Sequence, residues 1–228
     1  MSSMTSLIKL TPIGFRNKYR SKWSRLKNGF LTIFGKFIRI FVRPSVPQLK
    51  DNRVNLHLGC GSIDSPDFIN VDGRYGSHIH YIRSIKDLSP FKDNSVDLIY
   101  ASHCLEHFSH HQVSTVLNEW FRVLKQDGIL RLAVPDFDCL VNIYQKSDRD
   151  IQAIQGMLMG GQDYKYNFHM AIFNYASLKT HLKDVGFKRV KKWQPENTKL
   201  TNFDDCSKTK VVFDKKVYFV SLNVEAIK

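Results

Sequence analysis

The sequence predicts an α/β protein built on a doubly wound, mostly parallel sheet. Three observations support this fold class: an apolar run suited to a buried strand, a glycine turn directly after it, and an alternation of strand and helix signals along the chain. A length of 228 residues with 43% hydrophobic residues is enough to bury the core of one such domain. We therefore expect one α/β domain.

The first two predicted strands enclose a turn that suits a nucleoside. The run 54–58 is typical of a buried strand, and Gly59 and Gly61 let the backbone turn sharply and approach a ligand closely. The next apolar run ends at Asp72, whose carboxylate can accept hydrogen bonds from both ribose hydroxyls. Because the turn has only two glycines, it is not the pyrophosphate-binding fingerprint of dinucleotide enzymes. The pattern indicates an adenosine-type ligand without phosphates.

The later segments continue the alternation of helix and strand. A helix is predicted at 174–186, with asparagine as its cap and glycine as its stop. Runs at 187–193 and 216–224 then supply the last two strands.

Four segments, 56–72, 87–91, 97–107 and 119–136, resemble successive motifs of class I S-adenosylmethionine-dependent methyltransferases, of the type 11-like group. The resemblance implies a helix and turn at 119–128 before a strand at 129–134. The resemblance implies a Rossmann-like, seven-stranded sheet with an antiparallel last strand, and S-adenosylmethionine as the cofactor. The chain departs from the pattern near Gln126, where many members have a proline. Residues 160–226 are similar, less specifically, to bacterial methyltransferases associated with surface polysaccharides.

The same resemblance assigns roles to particular residues. It implies that the glycine turn holds the methionine part of the cofactor and that the acid after the second strand holds the ribose. It places an acid and the next apolar residue against the adenine, and the end of the fourth strand beside the sulfonium. The cofactor-binding residues implied are Gly59, Cys60, Gly61, Asp72, Asp87, Leu88 and Ser102.

Three histidines are the catalytic candidates. His103 and His107 follow the fourth strand, at the edge of the sheet where an acceptor would bind, and His169 lies in a polar, aromatic, glycine-rich stretch at 160–169. An imidazole suits the removal of a hydroxyl proton near neutral pH. For His169, a role limited to ordering this loop is an equal alternative.

Residues 103–107 also match H-x-x-E-H, the inverted zinc-peptidase signature. That signature needs a continuous helix, whereas His103 directly follows an apolar strand pattern. We therefore predict no metal ligands and no requirement for a metal. The four cysteines form no C-x-x-C pair, which argues against a cysteine zinc site and indicates a reducing compartment.

Positive charge is concentrated in residues 1–50, which contain eleven Lys or Arg and no acidic residue, and so carry +11 of the net charge of +13. We predict a basic extension at 1–50 and the methyltransferase domain at 51–228. Residues 28–43 predict an amphipathic helix, and 14–43 together suit peripheral contact with an anionic membrane. The apolar run is too short to span a bilayer. A helix that packs on the domain or dimerises, a mitochondrial presequence and an RNA-binding arm remain alternatives.

The expected reaction is O-methylation of a small polar or glycan acceptor in the cytoplasm, at the inner face of the membrane. The fourth strand is not followed by the N/D-P-P-Y/F pattern of enzymes that methylate planar nitrogens, and the nearly neutral domain disfavours nucleic acid as a partner. A sugar linked to a membrane glycan or lipid carrier is the preferred acceptor. The alternatives are an RNA methyltransferase with a basic arm and a non-catalytic, membrane-associated binding protein.

Overall fold

A computed structural model of the protein describes residues 32–35, 37–39, 42, 44–49 and 51–228. Most of the predicted basic extension, including 14–31, lies outside the described residues. Residues 32–35 and 37–39 are helical, within the predicted amphipathic helix. Over the part of the chain that the structure describes, no helix is both long and apolar enough to cross a membrane.

The domain is organised around one seven-stranded sheet with the order β3-β2-β1-β4-β5-β9-β6. Its strands are β1 (Asn55–Leu58), β2 (Ile69–Asp72), β3 (Tyr81–Ile82), β4 (Val96–Ser102), β5 (Leu124–Pro135), β6 (Arg189–Lys192) and β9 (Ser221–Ile227). Strands β1 to β5 pair in parallel, whereas β9 is antiparallel to both β5 and β6. The predicted Rossmann-like sheet, mostly parallel with an antiparallel last strand, is confirmed.

The run 216–224 differs from its prediction as a single strand. The structure divides it at Val220 into β8 (Lys216–Phe219), which forms a separate hairpin with β7 (Lys210–Phe213), and β9. The backbone N–H of Val220 donates to the Thr209 carbonyl at 3.2 Å, and its carbonyl accepts from the backbone N–H of Asp136 at 2.9 Å. The chain therefore passes at this residue from the hairpin into the main sheet.

Four α-helices connect the strands. They are α1 (Val113–Val123), α2 (Phe137–Lys146), α3 (Gln152–Met159) and α4 (Tyr175–Val185). The resemblance implies a helix and turn at 119–128, whereas helix α1 ends at Val123 and β5 already begins at Leu124. Helix α4 is confirmed: the Asn174 side chain accepts from the backbone N–H of Ser177 at 2.9 Å, and Gly186 ends the helix with φ of +118°.

The core lies on the central strands and fixes where they end. Leu58 of β1, Ile99 of β4 and Leu132 of β5 are fully buried with Trp120 of α1. The indole N–H of Trp120 donates to the Ile85 carbonyl at 2.8 Å, which ties α1 to the segment after β3. The carboxyl ends of β1, β2 and β4 are thereby held side by side.

The N-terminal helical residues contact the domain through a polar side chain. The Arg39 guanidinium donates to the carbonyls of Gly76, Ser77 and Ile79 at 2.8 to 3.0 Å. On the outer side, Ile33 is 74% exposed. The helical segment is therefore attached through its polar side and turns apolar surface outward.

Candidate cofactor and acceptor site

The carboxyl ends of β1, β2 and β4 border a cavity of about 140 Å³. Its lining residues are Gly59, Asp72, Gly73, Arg74, Ser84, Ile85, His103, Cys104, His107, Phe108, Tyr164 and Tyr166. Open α/β sheets bind ligands at this edge, where neighbouring connections leave the sheet in opposite directions. One cavity thus joins the predicted glycine turn and acid to two of the predicted histidines.

The two glycines of the turn differ in what surrounds them. Both have left-handed backbone, with φ of +65° at Gly59 and +61° at Gly61. A Cβ at Gly59 would lie 2.3 Å from Sγ of Cys104, whereas a Cβ at Gly61 would lie 3.7 Å from Nη2 of Arg74. Gly59 therefore makes room for a neighbouring side chain, a reason that the sequence analysis did not foresee.

Asp72 ends β2 at the cavity wall and is 6% exposed. Its Oδ2 accepts from the backbone N–H of Gly61 at 3.0 Å, and its Oδ1 accepts from the backbone N–H of Arg74 at 2.8 Å. Since a carboxylate has about four acceptor positions, these two bonds hold the group in place and leave capacity for ligand hydroxyls.

The predicted adenine contacts, Asp87 and Leu88, are not among the lining residues. Hydrogen bonds from Ser89 lower the pKa of Asp87, whose carboxylate also pairs with Arg83 at 2.9 Å, and Leu88 is fully buried. Ser84 and Ile85 line the cavity instead. They follow β3 closely, and their position after that strand is the signal that could have identified them.

Cys60 and Ser102 also lie outside the lining. Cys60 is 2% exposed and packs with Ile79 and Ile82, and burial raises the pKa of its thiol. Ser102 is the last residue of β4, and its carbonyl accepts from Sγ of Cys104 at 3.1 Å. Among the predicted cofactor residues, the cavity brings together Gly59 and Asp72, with Gly61 bonded to the latter.

The three predicted catalytic histidines surround one carboxylate. Glu106 has a side chain only 1% exposed, with Nδ1 of His103 at 3.3 Å and Nε2 of His169 at 3.9 Å from its Oε1. The ring centroids of His107 and His169 are 5.0 Å apart. Nε2 of His103 contacts Oγ of Ser221 at 3.0 Å. Glu106 is not among the residues predicted for the site, and the H-x-x-E-H spacing is the signal that could have identified it.

The charges in this cluster influence one another. Burial alone would raise the pKa of Glu106, but His103, His107 and His169 hold it below its ordinary value. Burial lowers the pKa of His169, against the opposing effect of the carboxylate. Burial therefore opposes the charged form of both groups, and their mutual attraction favours it.

The backbone at residues 103–107 has the placement predicted for the H-x-x-E-H motif, directly after a strand. His103 directly follows β4 with φ of +50°, and Leu105–His107 is a three-residue 3-10 helix. The motif is therefore not carried on a continuous α-helix, which the zinc-peptidase signature needs.

Comparison with known proteins finds a family match over part of the chain. Residues 64–132 match the model of a family described as a methyltransferase domain. No curated protein matches the chain. A SAM dependent methyltransferase from Archaeoglobus fulgidus is 19% identical, with 85% of this chain and 94% of that chain covered and a TM-score of 0.47.

A second solved structure is the 1,6-didemethyltoxoflavin-N1-methyltransferase of Burkholderia thailandensis, which holds 1,6-didemethyltoxoflavin and S-adenosylhomocysteine. It is 13% identical, with 100% of this chain and 98% of that chain covered and a TM-score of 0.49.

The sheet order and its single antiparallel strand define a Rossmann-like methyltransferase fold. The matched segment 64–132 contains Asp72, Ile85 and the histidines at 103 and 107. The match supports a methyltransferase that uses S-adenosylmethionine as its cofactor.

Proposed function

We propose that the protein is an S-adenosylmethionine-dependent methyltransferase that binds its cofactor in the cavity at the ends of β1 and β2. The observation that carries this proposal is the Asp72 carboxylate, which lies at the cavity wall with two backbone N–H groups holding it. In this position it can accept hydrogen bonds from both ribose hydroxyls. When bound, the cofactor supplies an electrophilic methyl group on a sulfonium.

The other lining residues suit the remaining parts of that cofactor. Ile85 and Phe108 offer an apolar wall for the adenine, in place of the implied Asp87 and Leu88, and the turn at Gly59 leaves its backbone open to the methionine part. The cavity of about 140 Å³ is smaller than the roughly 300 Å³ of sites for drug-sized ligands. We therefore expect the loop that carries Tyr164 and Tyr166 to move outward when the cofactor binds.

The acceptor we propose is a hydroxyl group, with His103 as the base. A hydroxyl must lose a proton as the methyl group is transferred, and His103 lines the cavity at the end of β4. Alignment of the acceptor with the methyl group supplies the rest of the rate enhancement. His107 also lines the cavity, and its ring centroid lies 5.0 Å from that of His169.

A sugar linked to a membrane glycan or lipid carrier is the acceptor class we favour. The basic extension supports this choice, together with the outward-facing apolar surface at Ile33 and Val42, which are 74% and 61% exposed. Such a surface suits the boundary between headgroups and acyl chains of an anionic membrane.

Calorimetric titration with S-adenosylmethionine tests the cofactor assignment. Asp72→Asn keeps the shape of the side chain but removes its charge, and a hydrogen bond to a charged group contributes about 1.5–3 kcal/mol. We expect the Kd to rise by roughly 10- to 150-fold. The matched control, Asp87→Asn, changes a carboxylate outside the cavity and should leave the Kd unchanged. Equal affinities of the two variants, or no binding by the wild type, would contradict the proposal.

Co-sedimentation separates the membrane and RNA alternatives. The full chain should sediment with vesicles that contain anionic phospholipid, and Ile33→Asp should weaken that binding because it places a charge in the apolar surface. Sedimentation with RNA that exceeds binding to vesicles would instead favour the RNA-binding arm. If the chain binds neither, the membrane proposal is wrong.

A further inference from the structure

We propose that Glu106, His107 and His169 bind a divalent transition-metal ion of the zinc class on the acceptor side of the cavity. Each of the three residues offers one ligand atom, and these atoms all lie within 4.8 Å of one another. Two imidazoles and one carboxylate are a donor set that zinc accepts, with a fourth position left open. This assignment replaces our prediction from sequence that the chain has no metal ligands.

The hydrogen bonds of the two imidazoles fix the tautomer that a metal needs. Nδ1 of His107 lies 3.1 Å from the Phe168 carbonyl oxygen, and Nδ1 of His169 lies 2.9 Å from the Met157 carbonyl oxygen. A carbonyl oxygen can only accept, so each Nδ1 carries the proton and each Nε2 presents a lone pair. Metal-binding histidines commonly donate their second ring N–H to such a carbonyl.

The carboxylate needs a positive partner in this position. Neither oxygen of Glu106 accepts a hydrogen bond from a described residue, although its side chain is almost fully buried. Nδ1 of His103 lies 3.3 Å from Oε1, but the contact does not meet hydrogen-bond geometry. Nε2 of His169 lies 3.9 Å from the same oxygen. A cation between the two groups would be coordinated by both.

The side chains must draw together to hold an ion. Bonds of about 2.1 Å in a tetrahedral site separate the ligand atoms by about 3.4 Å. The gap of 3.9 Å between Nε2 of His169 and Oε1 of Glu106 would therefore close by about half an ångström, and the widest separation, which is within 4.8 Å, by up to about 1.4 Å. The backbone already holds both sides: the N–H of Met170 donates to the Glu106 carbonyl at 2.7 Å, and the N–H of His169 donates to the Met159 carbonyl at 3.1 Å. These main-chain hydrogen bonds do not involve the side chains, so they can stay in place when the ligand side chains move.

This arrangement differs from that of an inverted zinc peptidase. There the two histidines of H-x-x-E-H bind the ion and the glutamate is the base, whereas here Glu106 is a ligand and His169 takes the place of His103. Because His107 also lines the cavity, the open position of the ion would face it. If the proposed function holds, an acceptor hydroxyl can occupy that position, with His103 left to take its proton.

Metal uptake by the full chain tests the site without any methyl acceptor. After chelator treatment, the protein is titrated with Zn²⁺ and its bound metal measured by mass spectrometry, while Co²⁺ reports coordination through its visible absorption. We expect one ion per chain in the wild type and in the control His111→Asn, which changes an exposed histidine outside the cluster. Glu106→Gln and His169→Ala should each bind at least about tenfold more weakly.

Two outcomes would overturn the proposal: no tight metal binding by the wild type, or the same affinity in His169→Ala as in His111→Asn. Circular dichroism establishes whether each variant is folded. If Glu106→Gln does not fold, the metal affinity of His169→Ala and the Co²⁺ spectrum of the wild type decide whether the site exists. Binding of S-adenosylmethionine, measured on the same proteins, distinguishes a failure of the metal site from a failure of the cofactor assignment.

Discussion

Replacing Gly59 by alanine tests how tightly the cofactor turn packs against the acceptor side. Its φ of +65° costs an L-residue about 1–2 kcal/mol. The added Cβ would also lie 2.3 Å from Sγ of Cys104, so one of the two groups must shift, and overpacking of this kind costs about 1–3 kcal/mol. We expect the substitution to lower the free energy of unfolding by about 2–5 kcal/mol. Because Cys104 lines the cavity, affinity for S-adenosylmethionine should fall as well.

Urea denaturation with two comparisons isolates the packing contribution. Gly61→Ala has the same backbone cost, but its Cβ would lie at an ordinary 3.7 Å from Arg74, so we expect a loss of only about 1–2 kcal/mol. Cys104→Ala removes the clashing sulfur, and the remaining Cβ lies 3.5 Å from the new methyl group. The double variant should therefore recover about 1–3 kcal/mol relative to additivity. Equal losses at Gly59 and Gly61, or simple additivity with Cys104, would refute this reasoning.

Two further predictions concern stability away from the cavity. Burial alone would raise the pKa of Glu225, but hydrogen bonds from Arg131, at 2.9 Å, and Lys191 hold it below its ordinary value. This stabilisation is present above about pH 4.3 and is lost as the pH falls through the lower folded pKa. Arg131→Met should lower the free energy of unfolding by about 2–3 kcal/mol at pH 7, a loss limited by Lys191, which still contacts Glu225. The loss should be smaller at pH 5, because protonation of Glu225 in the variant then removes the buried, poorly paired charge. An equal loss at both pH values in urea denaturation would contradict this prediction. Asn174→Ala removes the oxygen that accepts from the backbone N–H of Ser177 and should lower the free energy of unfolding by about 1 kcal/mol. An unchanged thermal midpoint would show that this helix cap does not stabilise the protein.

The ends of some strands and helices could be predicted from the sequence, because short local patterns mark them. The turn at Gly59 and the acid at Asp72 mark the ends of the first two strands, and the capping pattern at Asn174 locates α4. The division at Val220 could not be predicted in this way, because both halves of 216–224 have the same strand-forming composition. Their difference lies in their partners, since β8 pairs with its neighbour β7 and β9 pairs with the distant β5. Such pairing is a property of the assembled sheet.

The position of a site residue could be predicted where it follows directly from the end of a strand. Asp72 ends β2, and this places its carboxylate at the cavity wall. That Ser84 and Ile85 line the cavity, and not Asp87, could not be predicted, since β3 has only two residues and gives little pattern from which to judge where the loop begins. Glu106 acquires its surroundings only when a distant loop brings His169 beside it, and no local pattern records that contact.

The backbone attachment of the loop that carries His169 separates the position of this histidine from the side chains that precede it. The N–H groups of His169 and Met170 donate to the carbonyls of Met159 and Glu106, and neither bond depends on the identity of a side chain. Substitutions at 164–168 can therefore change the cavity wall at Tyr164 and Tyr166 while the histidine stays in its place. If the proposed function holds, variants at these five positions would change the space open to cofactor and acceptor without altering the main-chain bonds that hold His169.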